Sequence, residues 1–166
     1  MTLCGVGNNV ESGVVRTAIP TDAEAITRLS QGLGYTQKDN AAGNVDAQQT
    51  ATVERLIRLL DATDQQVWVF DAGGELRGWL HAFIGLRLAS PPFVEIGGLV
   101  VESSYHRRGI ATQLLAVVRY WADQQGLPLR VRCHSQRQAA QQFYRAQGLQ
   151  AIKQQTVFES MTESVL

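Results

Sequence analysis

The sequence predicts an α/β fold in which helices cover a central sheet. Three observations carry this. Residues 93–101 form a nearly all-apolar run, as expected of a strand covered on both faces. Directly after it, Ile110, Leu114, Val117, Val118 and Trp121 recur at helical spacing. Before it, Ala72-Gly73-Gly74 separates two strand-like runs with the signature of a tight hairpin. A chain of 166 residues fits one domain with a real core, placed here at 14–166, with residues 1–13 read as a poorly ordered lead-in.

In chain order, Val14–Ile19 reads as a first strand closed by Pro20. Thr21-Asp22-Ala23-Glu24 has the form of a capping box, which starts a helix from Asp22 to about Leu33 with Ala25, Ile26 and Leu29 on its apolar side. The polar stretch from Gly32 to Asn44 reads as a mobile loop. Asp46 to Leu60 is a second helix, with Val53, Leu56, Ile57 and Leu60 on one face. Val67–Phe70 and Leu76–Leu88 are the two arms of the hairpin, the second bent at Gly78 or Gly85, and Pro91-Pro92 marks the next connection. The helix that begins at Ile110 runs to about Gln125 and is stopped by Gly126 and Pro128. Leu129–Cys133 is a short strand, Ala139–Gln147 a helix ended by Gly148, and Leu149–Lys153 and Thr156–Met161 two closing strands. The resulting order is β-α-α-β-β-β-α-β-α-β-β.

Composition excludes several functions. Fifteen basic and fifteen acidic side chains balance to zero, so a nucleic-acid partner or an anionic membrane surface is not expected. No apolar stretch reaches membrane-spanning length. Met1–Gly13 lacks the basic start and apolar middle of a signal peptide. Cys4 and Cys133 do not make a disulfide framework, and a cytoplasmic location is expected. Cys133 reads as a buried inert thiol. His81, His106 and His134 show no metal-ligand spacing, so no metal is expected.

The functional signal lies between the apolar strand and the helix after it, in Tyr105-His106-Arg107-Arg108-Gly109-Ile110-Ala111-Thr112. A small-residue turn at this place aims unpaired first-turn N–H groups and the positive end of the helix dipole at one point, which suits a phosphate. Arg107 and Arg108 add guanidinium forks at its mouth. Neither a P-loop nor a dinucleotide-binding glycine fingerprint is present.

Residues 106–111 resemble the pyrophosphate-binding motif of the GNAT superfamily, Q/R-x-x-G-x-G/A, with His106 in place of the usual Gln or Arg. A second stretch, Arg137-Gln138-Ala139-Ala140-Gln141-Gln142-Phe143-Tyr144, is similar to the family's N-x-x-A-x-x-F-Y signature and is followed by its glycine, Gly148; Arg137 replaces the usual Asn. The element order agrees with that family from about Val14 to Met161. The resemblance implies the GNAT fold: a mixed, mostly antiparallel, twisted sheet of about six to seven strands flanked by four helices. It implies an acetyl-CoA-dependent N-acetyltransferase, with acetyl-CoA held by His106, Arg107, Arg108, Gly109, Ile110, Ala111, Thr112 and Arg137. Along the preceding strand the backbone of Leu99, Val100 and Val101 would hydrogen-bond the pantetheine arm, one N–H polarising the thioester carbonyl. A homodimer is a common assembly in the family.

Two side chains are candidates for proton transfer. Glu95 is the one charged residue in 93–101, and a lone carboxylate there must be paired or face a cleft. Partial burial would raise its pKa toward that of a general base; pairing with a nearby arginine is the structural alternative. In the histone acetyltransferase branch the catalytic glutamate has the same spacing to the motif glycine as Glu95 to Gly109. Tyr144 would, by resemblance, protonate the CoA thiolate; a core tyrosine is its alternative. Gly97 and Gly98 mark a bulge or a close ligand approach, or merely tight helix packing. The acceptor is expected to be a small-molecule primary amine, contacted from residues 32–44, the strand around His81 and the last hairpin, with Tyr35, Asp39 and Asp46 as faint cation-binding signals. Competing readings are a protein or peptide N-acetyltransferase and a non-catalytic acyl-CoA-binding regulatory module.

Overall fold

The computed structural model describes residues 11–31 and 45–160. The chain divides into two compact units, Met1–Arg132 and Cys133–Leu166. The first unit holds a five-stranded sheet in the order β1-β2-β3-β4-β5, formed by Val14–Thr17, Gln65–Ala72, Glu75–Arg87, Ser90–Val101 and Leu129–Val131. The first three pairings are antiparallel and β4–β5 is parallel. Helices α1 (Ala23–Ser30), α2 (Val45–Asp61) and α3 (Ile110–Gln125) belong to this unit, and α4 (Gln138–Ala146) to the second. The mixed, mostly antiparallel sheet with four helices is the expected architecture, with fewer strands.

Alternation in β3 assigns the faces. Gly78, Leu80 and Ala82 are buried, while Trp79, His81 and Phe83 between them are half-buried. On the first face α3 supplies the buried Ile110, Leu114, Leu115, Val118 and Ala122. A Cβ at Gly78 would stand 3.2 Å from Ile110 and 3.3 Å from Leu114, so the missing side chain lets α3 approach. Trp121 of α3 meets Trp68 of β2 edge-on at 5.7 Å. On the opposite face Val67, Val69 and Val100 pack with Ile26 and Leu29 of α1 and Leu56 of α2, with Trp79 at the margin.

The structure departs from the sequence-based expectations in several places. The capping box at Thr21–Glu24 does not form. Asp22 instead accepts the Ile19 N–H at 2.8 Å and is gripped by Arg16 at 2.8 and 2.9 Å, and a short 3-10 turn, Pro20–Asp22, precedes α1. Arg16 also reaches Asp71, which accepts the Gly74 N–H at 2.7 Å and so braces the hairpin; Gly73 and Gly74 both have positive φ. Pro91 and Pro92 lie inside β4, whose turn is Leu88-Ala89. The two closing strands are absent over the described residues 149–160, where Ile152, Val157 and Phe158 are exposed: an alternating pattern needs a partner edge to become a strand, and none pairs with it. This is the correction to the expected strand number. Cys133 is half-buried, outside any strand, rather than buried. The loop with Tyr35 and Asp39, and the side chain of Asp46, lie outside the described residues.

Candidate functional site

The pairing of β4 builds the site. Val94, Glu95 and Ile96 pair with Leu129, Arg130 and Val131 of β5, and the parallel ladder ends there. From Gly97 to Val101, β4 continues with β3 alone. Its register shifts at this point: His81 faces Gly98 and Ala82 faces Ile96, so Gly97 is the extra residue of a bulge. Beyond the bulge, Glu102 donates its N–H to Arg77 O at 2.8 Å. Period-two alternation then turns Val100 toward β3 and turns Leu99 and Val101 toward the edge that β5 has left. The Val101 carbonyl on that edge is taken by His106 Nε2 at 2.9 Å. Leu99 and Val101 thus have their backbone groups on that edge, and Val100 has its groups on the β3 ladder.

The strand leads through a 3-10 turn, Ser103–Tyr105, into the motif loop. Arg107 (φ 59°) and Gly109 (φ 80°) are both left-handed, and Gly109 is the N-cap of α3. No side chain caps this helix start; Gly109 C=O accepts the first helical bond from Gln113 at 3.0 Å. The N–H groups of Ile110 and Ala111, in the first turn, therefore have no intrahelical acceptor and converge in front of the loop. Thr112 completes that turn. Arg107 is exposed at its mouth. Arg108 is turned aside: it stacks on Tyr105 at 4.8 Å and pairs with Glu11 at 3.2 Å, while its carbonyl accepts the Glu11 N–H at 2.9 Å. Glu11 thus ties the stretch read as a lead-in to the loop.

Glu95 lies on the α1–α2 face, opposite Phe83, and is only 6% exposed. Arg132 forks onto it, with Nε 2.7 Å from Oε1 and Nη2 3.4 Å from Oε2. The arginine pairing, the structural alternative for this residue, is present. Sequence reasoning did not single out Arg132. The available signal was its period-two spacing from Arg130, whose guanidinium lies over Phe93 at 4.2 Å, matching the period-two pair Phe93 and Glu95 on β4.

The second unit carries the other motif. Arg137 is the exposed N-cap of α4 and donates its N–H to His134 O at 3.0 Å. Phe143 and Tyr144 meet edge-on at 5.3 Å. Tyr144 is half-buried, and burial, helped by Cys133 and opposed by Arg137, pushes its hydroxyl up to about 12. The phenol is therefore protonated across the neutral range, as a proton donor must be.

The model of the acetyltransferase (GNAT) family matches residues 36–149. The chain belongs to this family. No curated protein matches it. Among solved structures, a transcriptional regulator from Bacillus halodurans C-125 is similar at a TM-score of 0.79 and 18% identity, covering 90% of this chain and all of that one. The aminoglycoside N-acetyltransferase AAC(6')-Iy in complex with CoA is similar at a TM-score of 0.75 and 20% identity, covering 96% of this chain and all of that one. Aminoglycoside 6'-N-acetyltransferase AAC(6')-Ih from Acinetobacter baumannii gives 0.72 and 16%, covering 92% and 100%. At these identities the neighbours establish the fold. The splayed β4–β5 ladder and the left-handed turn before α3 are thus features of a GNAT chain. Among the described residues no helix is long and apolar enough to cross a membrane, and no three His, Cys, Asp or Glu side chains cluster as metal ligands do.

Proposed function

We propose that the protein is an acetyl-CoA-dependent N-acetyltransferase acting on the primary amine of a small molecule, by direct attack in a ternary complex. The observation that carries the reading is the unbroken path from the open edge at Leu99–Val101 to the left-handed turn at Arg107–Gly109. It suits a ligand that is amide-rich at one end and doubly charged at the other. Ile110, Ala111 and Thr112 supply first-turn N–H groups to the diphosphate, and Gly109 leaves room for its approach. Arg107 offers an exposed guanidinium, and Arg137 a second from the other motif. The Leu99 N–H faces the thioester oxygen and stabilises the oxyanion as the tetrahedral intermediate forms.

A primary amine with a pKa of about 10.4 is protonated near neutrality and must lose a proton before attack. Glu95 draws that proton off, directly or through an intermediate carrier. The freed lone pair forms the C–N bond while the carbonyl pair moves to oxygen. Collapse breaks the C–S bond, Tyr144 protonates the departing thiolate, and the second proton released by nitrogen as the amide forms restores the phenol through solvent. Small acceptors are favoured because the similar solved structures include aminoglycoside acetyltransferases, one in complex with sisomicin. A thiol-release screen of acetyl-CoA against aminoglycosides, polyamines and peptides tests this. Release with a small amine and none with peptides is the expected result; release with peptides alone would refute the acceptor class.

A further inference from the structure

The bulge in β4 sets glycine backbone against one half-exposed imidazole. His81 lies opposite Gly98, on the α1–α2 face that also carries Glu95, Phe83 and Trp79. Its Nε2 stands 2.9 Å from Gln65 Oε1. An amide oxygen only accepts; with the Gln65 amide in this orientation, Nε2 carries the ring proton and Nδ1 keeps a bare lone pair. A Cβ on Gly97 would stand 2.7 Å from Nδ1, and a Cβ on Gly98 2.8 Å from the Trp79 ring. Only glycine at 97 and 98 lets the His81 and Trp79 rings lie this close to β4, and no described residue supplies Nδ1 with a donor. Burial keeps the ring below the usual imidazole range, which leaves it neutral and able to accept a proton.

We propose that His81 is a further catalytic residue, the group that first receives the acceptor amine's proton, at Nδ1. The proposal rests on the N-acetyltransferase reading above and assigns the carrier which that reading leaves open. The ammonium N–H bond breaks, its electron pair stays on nitrogen for attack at the thioester carbon, and the proton joins the Nδ1 lone pair. Gln65 holds the Nε2–H of the imidazolium so formed. Glu95, one pleat away beside Phe83, draws the proton onto the ring by stabilising the cation with its charge, and the half-exposed ring returns the proton to solvent after turnover. The charged groups sharing this face among the described residues are Glu95 with its partner Arg132, Arg87 and Arg130 over Phe93, Arg77 beside Trp79, and Arg16 with Asp22 and Asp71 farther along the sheet; the apolar helix side chains packed on it from α1 and α2 are Ile26, Leu29, Val53, Leu56, Leu59 and Leu60.

The test uses the full chain and the amine that gives the fastest thiol release. His81→Asn keeps a polar atom near the Nδ1 position but cannot carry a proton. It should lower kcat/KM by about 100-fold, leave the dissociation constant for CoA unchanged and erase the acid limb of the pH profile that reports the ring. Gln65→Glu places a carboxylate on Nε2 and should move that limb to higher pH, a shift that a structural role would not produce. Retention of kcat/KM within threefold in His81→Asn, or an unmoved limb in Gln65→Glu, overturns the assignment. A wild-type protein that neither binds CoA nor releases thiol would instead overturn the acetyltransferase reading itself.

Discussion

Glu95 and Tyr144 show how the surroundings of one side chain decide its chemistry. Glu95 is a carboxylate inside a covered strand, tolerable because Arg132 reaches over the sheet edge to it. Glu95→Gln should lower thiol release by about 100-fold, most at low pH, where the amine holds its proton hardest; a full rate with a flat pH response would remove its role. Arg132→Ala leaves the carboxylate buried without its partner and should cost about 1–3 kcal/mol in a denaturant titration. Tyr144 works in the opposite sense. Its neutral form is favoured by burial, so the phenol keeps its proton until pH approaches about 12. The rate should therefore show no alkaline limb from a phenol near pH 10, and Tyr144→Phe should lower kcat about 10-fold or more. A limb at pH 10 that disappears in Tyr144→Phe would contradict the burial-raised value, and an unchanged kcat in Tyr144→Phe would contradict the donor role.

Among the elements, the hairpin, β3, β4 and α3 were legible because each is fixed by local periodicity or turn chemistry. Leu115 escaped the α3 pattern only because the apolar stripe is wider than the residues counted. What the sequence did not disclose depends on partners distant in the chain: the Arg16 bridge to Asp22 and Asp71, the Arg132 fork, the exact residue of the β4 bulge, and the failure of 149–160 to pair. Gly97 and Gly98 signalled an irregularity, but only register with His81 shows which one is extra. The bracing of the first hairpin is testable. Asp71 is held below the ordinary carboxylate range by the Gly74 N–H and by Arg16. A depressed folded-state value means that the stability it contributes is present above the unfolded value and is lost as pH falls through the folded one. Asp71→Asn should lower the thermal midpoint at pH 7, and the difference from wild type should shrink on acidification below about pH 4; an undiminished difference would refute the bridge.

For the molecule as a whole, the sheet is a frame whose β4 strand serves two surfaces. Its outer edge beyond Ile96 and the loop into α3 present backbone groups suited to the proposed long anionic ligand, and its α1–α2 face carries Glu95 and His81, the groups proposed for the proton transfer. A ligand that binds only the folded chain should stabilise it by about 2.7 kcal/mol at one hundred times its dissociation constant, several degrees in midpoint for a chain of this size. The account stands most directly on the diphosphate being gripped by the turn at Gly109, and calorimetric titration of CoA against pantetheine measures that. CoA should bind much more tightly than pantetheine, and Gly109→Phe should abolish the difference while the circular dichroism spectrum is kept. Equal affinities for the two ligands, or an undiminished preference for CoA in Gly109→Phe, would contradict the account.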